Sequence, residues 1–141
     1  MTSASWVPGV EGKRVVDDAL ALRPDLEGPL DDLRTTIRNG PVEPELLDAC
    51  DALIRHRLGV PVKGPIPDTG AADLDDRQRA VLVLAEQFVI DPHGIDSAMR
   101  DALLDHCSLA ELATLVQACA VFDALARMEA VLSRPASDGD A

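Results

Sequence analysis

Few residues in this chain have both the type and the spacing to do chemistry. His56 falls on a helix predicted by the pattern around it, with Asp48, Ala49 and Ala52 on neighbouring turns, so an imidazole would sit over small side chains near a carboxylate. That is the arrangement of an acid/base pair. The alternative is a solvated histidine between Arg55 and Arg57, capping a helix end where positive charge is favoured. Glu86 follows the apolar run Ala80 to Ala85. An unpaired carboxylate buried there would cost several kcal/mol or titrate far above its ordinary range, so Glu86 must be paired, neutral or at an edge. Asp123 and Arg127, four residues apart, share a stripe with Leu112, Val116 and Cys119. Joined by Glu86, they would make a cluster whose guanidinium binds a substrate carboxylate. The same cluster would serve equally as an ion-pair network fixing helix packing or a subunit interface.

The three cysteines, Cys50, Cys107 and Cys119, show neither CxxC nor CxC spacing. This suits a reducing compartment, and each reads as a small buried hydrophobe. A redox pair would require two of them to meet in space, for instance Cys50 with Cys119. His106 beside Cys107 points about 100° away from it on a helix, and His93 in the DPHG turn reads as a surface residue. With no HxxxH or HxH pair, neither a protein-built metal site nor a cofactor is expected.

These residues must be positioned by helices. Periodicity starts near Arg14 and halts at Arg23-Pro24; a second helix runs from Pro24 to Arg38 with Leu26, Leu30, Leu33 and Ile37 on one side, its first turn weakened by Gly28 and Pro29. Pro44 opens a third, in which Leu47, Cys50, Ile54 and Leu58 recur at helical spacing until Gly59. From Gly59 to Asp73 the proline- and glycine-rich GVPVKGPIPDTGAAD admits neither a helix nor a central strand, and reads as a lid or a connector. Asp75 with Gln78 predicts a capping box for a fourth helix ending at Asp91-Pro92-His93-Gly94. Asp96 caps a short fifth helix to about His106, and Ser108 with Glu111 boxes a long sixth to about Ser133. Residues 1–13 read as an extended arm whose Trp6 and Val7 offer something to dock, and 134–141 are expected to be a polar, flexible tail.

With 25 acidic against 13 basic residues, a formal charge of −12, no tyrosine, two phenylalanines and one tryptophan, the surface repels phosphate backbones and offers no stacking platform for bases. Neither nucleic acid nor membrane is expected as a partner. The start MTSASWVPGVEGKR lacks a charged segment followed by an apolar one, and no stretch reads as a membrane span, so a cytoplasmic location is expected.

The stretch LDDRQRAVLVLAEQFVIDPHGIDSAMRDALLDHCSLAELATLVQACAVFDALARMEAVL, 74–132, has a capped helix with an L-x-x-A-E core, a D-P-x-G turn, a short helix and a long one. In that order it resembles the carboxymuconolactone decarboxylase and alkylhydroperoxidase-D-like family. Upstream, ALALRPDLEGPLDDLRTTIRNG and PELLDACDALIRHRLG resemble the two helices that precede the family's active-site helix. The resemblance implies a compact all-α domain of about six helices that assembles as a trimer or a multiple of one. Redox members carry a glutamate, a Cys-x-x-Cys pair and a histidine. Laying Arg57-Leu58-Gly59 on the family's helix end puts Asp48 at the glutamate, Val60 at the first cysteine and Lys63 at the second, while Arg127 matches the family's arginine. Neither valine nor lysine can replace a thiolate nucleophile.

The expectation is therefore a redox-inactive member that binds a small organic molecule. It would promote decarboxylation, isomerisation or cyclisation through His56, Asp48 and Glu86, with Arg127 and Asp123 holding the substrate. Two alternatives stand beside it: a non-catalytic module for oligomerisation or partner binding, and a thiol redox protein using Cys50 and Cys119.

Overall fold

A computed structural model describes residues 5–8, 10 and 15–134 of the chain. Among these residues there are six α-helices and no strand: α1 (Val15–Ala21), α2 (Pro24–Arg38), α3 (Pro44–Arg57), α4 (Asp76–Ile90), α5 (Ser97–Leu104) and α6 (Leu109–Leu132), with one 3-10 turn at Pro92–Gly94. The start expected at Arg14 and the tail beyond Arg134 lie outside the described residues.

Local chemistry sets the helix ends. The Gln78 backbone N–H donates to the Asp75 carboxylate at 2.7 Å while the Gln78 side-chain oxygen accepts from the Asp75 N–H at 3.0 Å, and Ser108 and Glu111 repeat the exchange at α6. Asp96 accepts from the Met99 N–H at 3.0 Å to start α5. At the end of α3, Gly59 takes φ +73°, its N–H donates to the His56 carbonyl, and the Val60 N–H donates to the Arg55 carbonyl. This double bond pattern with a buried apolar residue after the glycine is a Schellman motif. Val60, at the position expected to replace a nucleophile, is the buried plug of that motif.

The core is built on α3, which packs against both α4 and α6. Leu47, Cys50 and Ile54 from α3, Val81, Leu82, Leu84 and Ala85 from α4, and Leu115, Ala118, Cys119 and Ala126 from α6 are almost fully enclosed. By contrast α2 lies on the surface. Its apolar side contributes only Ile37 to the core, leaving Leu26 and Leu33 exposed, and the helix continues through Pro29 on the exposed surface.

Two side-chain networks tie the elements together. Arg77 in the first turn of α4 pairs with Glu43 before α3 and with Glu111 in the first turn of α6, joining three helix N-termini. Arg55 on α3 pairs with Glu129 on α6 and donates to the Pro61 carbonyl at 2.8 Å, fixing one end of the loop 59–73; Arg79 holds the other end through the Ala71 carbonyl at 2.8 Å. Ser5 and Trp6 meet the far end of their own chain. The Trp6 indole N–H donates to the Val131 carbonyl at 2.7 Å and Ser5 to the Leu132 carbonyl, capping the last turn of α6.

α6 corrects one expectation. Among the described residues it is long and apolar enough, by length and composition, to cross a membrane, with a mean hydropathy of 1.6 over its most apolar window and 22% of that window buried. A helix apolar all round is normally covered all round. This one packs on α1, α2, α3, α4 and α5, yet keeps one side open.

Candidate functional site

The α3 residues expected beneath an imidazole do line a groove. Glu45, Asp48, Ala49 and Ala52 form its floor, Lys63, Pro65 and Pro67 of the loop form its roof, and it encloses about 240 Å³. The loop is thus laid along α3, which it can do because Arg55 and Arg79 pin its two ends. His56 lies one turn beyond Ala52, exposed to solvent and outside the groove. Eight residues along one helix set its Cα about 12 Å from that of Asp48. The expected His56–Asp48 pair is therefore not assembled. Asp48 instead accepts from Arg38 of α2 at 2.8 Å, both side chains open to water.

Nor do Glu86, Asp123 and Arg127 meet as a cluster. Glu86 pairs across the α3–α4 seam with Arg57, which sits beside His56 at the end of α3. Asp123 accepts from the Arg127 Nε at 2.9 and 3.0 Å within α6, the arginine lying open on the helix surface. The i, i+4 spacing of Asp123 and Arg127 does bring them into contact. Arg57 was not legible as the partner of Glu86, because nothing in the sequence states which α3 side chain faces that carboxylate.

A second groove of about 330 Å³ lies between α4, α5 and α6. Its walls are apolar, with Leu84 and Leu103 inside and Val116 at the α6 edge, and its polar rim is already engaged: Asp96 caps α5, and Arg100 donates to Asp101 at 3.0 and 3.1 Å. None of the five sequence candidates lines it.

Cys50 and Cys119 do come together, thiol against thiol, at the α3–α6 contact. The Cys119 thiol, and then burial, hold the Cys50 thiol well above its ordinary range. This is the reverse of the lowered pKa that makes a thiolate nucleophile. Burial also raises Cys107, more than its neighbour Arg77 lowers it. Buried thiols of this kind pack as small hydrophobes.

One titratable group was missed altogether. Asp51, half-buried on α3, is pushed above its ordinary value by burial, with Arg55 pulling it down and Asp48 pushing it up. Among the described residues no charged or polar residue is fully buried, no buried side-chain nitrogen or oxygen lacks a hydrogen-bond partner, and no three His, Cys, Asp or Glu side chains are grouped as metal ligands would be.

The arrangement thus offers paired charges on the outside, an aliphatic interior, and one long helix with an uncovered apolar side. Compared with known proteins, the chain matches no family model, no curated protein and no solved structure.

Proposed function

We propose that this chain is a non-catalytic helical module that binds a protein surface through the outward side of α6. The observation that carries this reading is the open side of that helix, where Leu109 is 74%, Val131 52% and Val116 42% exposed. Large apolar side chains left exposed along one side of a helix support a contact site there. Acid/base chemistry asks for a free base facing a cavity. His56 faces neither groove, and the one candidate that lines a groove, Asp48, is bonded to Arg38. The resemblance to the carboxymuconolactone decarboxylase-like family enters as an architecture kept without its chemistry: helices in the family's order, a loop in place of the cysteine-bearing segment, and association retained.

A photo-crosslinking residue placed at Ala120 in expressing cells is expected to form a protein adduct that disappears when Val116 and Val131 are changed to lysine, while one placed at His56 forms none. No adduct at Ala120, or an equal one at both positions, would sink the reading.

A further inference from the structure

The groove between α3 and the loop 59–73 carries charge that the fold does not use. Asp48 on its floor is bonded to Arg38, so that carboxylate is engaged. Glu45, one turn before it, and Lys63 on the roof also line the groove and are exposed. Among the described residues neither makes an ion pair or a side-chain hydrogen bond, with each other or with any other group. A free carboxylate thus stands on the floor and a free ammonium on the roof. The rest of the lining is aliphatic: Ala49 and Ala52 keep the floor low, and the rings of Pro65 and Pro67 complete the roof. No hydroxyl, amide or aromatic side chain lines the space.

The roof is held in shape before anything enters. Arg55 donates to the Pro61 carbonyl and Arg79 to the Ala71 carbonyl, each at 2.8 Å, so both ends of the loop are fixed. Gly64, between the two lining residues Lys63 and Pro65, takes φ +86°, a left-handed conformation that glycine adopts without strain. The prolines fix φ on the rest of the roof. Little freedom remains to be lost on binding.

We propose that this groove binds a small zwitterion of the aliphatic amino acid class, with its ammonium on Glu45, its carboxylate on Lys63 and its side chain against the alanines and proline rings. Charge decides the class. A simple cation would meet Lys63, and a simple anion would meet Glu45 and a chain carrying −12. A molecule bearing both charges satisfies both groups through charge-assisted hydrogen bonds. The volume of about 240 Å³ equals roughly eight water volumes, the size of valine or leucine. A polar side chain would lose its water there without gaining a partner. Both charges stand open to water, and the step proposed is binding alone. No α6 residue lines the groove, so this inference goes beyond the reading of α6 and is tested apart from it.

Titration of the full chain with L-leucine, followed by amide NMR, is expected to move signals of α3 and of the loop 59–73 saturably, with a Kd on the order of 1 mM. Isopentylamine and 4-methylpentanoate, each keeping one of the two charges, are expected to bind about fivefold more weakly, the upper end for an ion pair open to water. Glu45→Gln and Lys63→Gln, at exposed positions without partners, leave the melting temperature unchanged and each weaken leucine by the same factor. Lys63→Gln then binds leucine no better than isopentylamine, and Glu45→Gln no better than 4-methylpentanoate. Ala49→Leu fills the floor and removes binding; the two charge variants carry the test should that chain fail to fold.

No saturable shift as leucine is raised well past that concentration, or shifts confined to other helices, would overturn the proposal. So would equal affinity for leucine and either one-charge analogue, or a charge variant that binds leucine as the parent does.

Discussion

The two sides of α6 are made of the same kinds of residue and have different fates. Leu115, Ala118, Cys119 and Ala126 are almost fully enclosed; Leu109, Ala120 and Ala124 are exposed, with Val116 beside them at the edge of the groove between α4, α5 and α6. Composition does not separate the two sides. What separates them is the number of helices available: α3 and α4 cover one side, α1, α2 and α5 reach the flanks, and among the described residues no element remains for the rest. On the function proposed above, the apolar side left over after the core is complete is the one that meets a partner.

The sharpest way to break this comparison is to truncate one residue on each side. Leu115→Ala empties a fully enclosed position and should cost about 2–4 kcal/mol in urea unfolding. Val116→Ala, its immediate neighbour on the open side, should cost less than about 0.5 kcal/mol when measured at concentrations low enough to keep single chains apart. Equal losses would mean that the outward side is covered within one chain.

A smaller effect tests the ion pairs that hold the inward side in place. Glu111 sits below its ordinary carboxylate value, chiefly through the Ser108 backbone N–H and then Arg77. A depressed carboxylate stabilises the fold above its unfolded pKa, and the contribution is lost as pH falls through the folded value. Glu111→Gln keeps a capping-box side chain but removes the charge facing Arg77, so it should cost about 0.5–1 kcal/mol at pH 7. The gap from the parent should narrow as pH drops below about 4.5, the ordinary carboxylate value. A gap independent of pH would show that the charge of Glu111 contributes nothing.

The smallest effect has the opposite sign. Burial raises the pKa of Asp51 in the fold, so its ionised form weakens the fold at neutral pH and the penalty fades in acid, once both states are protonated. Asp51→Asn should therefore raise stability at pH 7 by up to about 0.5 kcal/mol and match the parent below pH 3.8, the ordinary aspartate value. A loss of stability at pH 7, read from thermal melts, would mean that attraction to Arg55 outweighs burial.

The helices were legible because their signals are local. Asp75 with Gln78, Ser108 with Glu111, Pro44 and Gly59 each act within one turn of the chain, so residue type and spacing are sufficient to place helix starts and stops. The candidate site was much less legible. His56 and Asp48 share a helix face as the spacing implied, but two turns separate them, and Arg38 from another helix takes the carboxylate. For Glu86 the sequence required a partner and did not name it; the partner is Arg57.

The sequence by itself determined an acidic chain of capped helices, an irregular loop between Gly59 and Asp73, and the absence of a Cys-x-x-Cys pair. Only the tertiary structure decided that Cys50 meets Cys119, that Trp6 caps its own α6, and that one side of an evenly apolar helix stays open. Capping energies are set by neighbours along the chain. Coverage of a helix face depends on which distant segments arrive there, and among the described residues the five other helices leave one side of the longest uncovered.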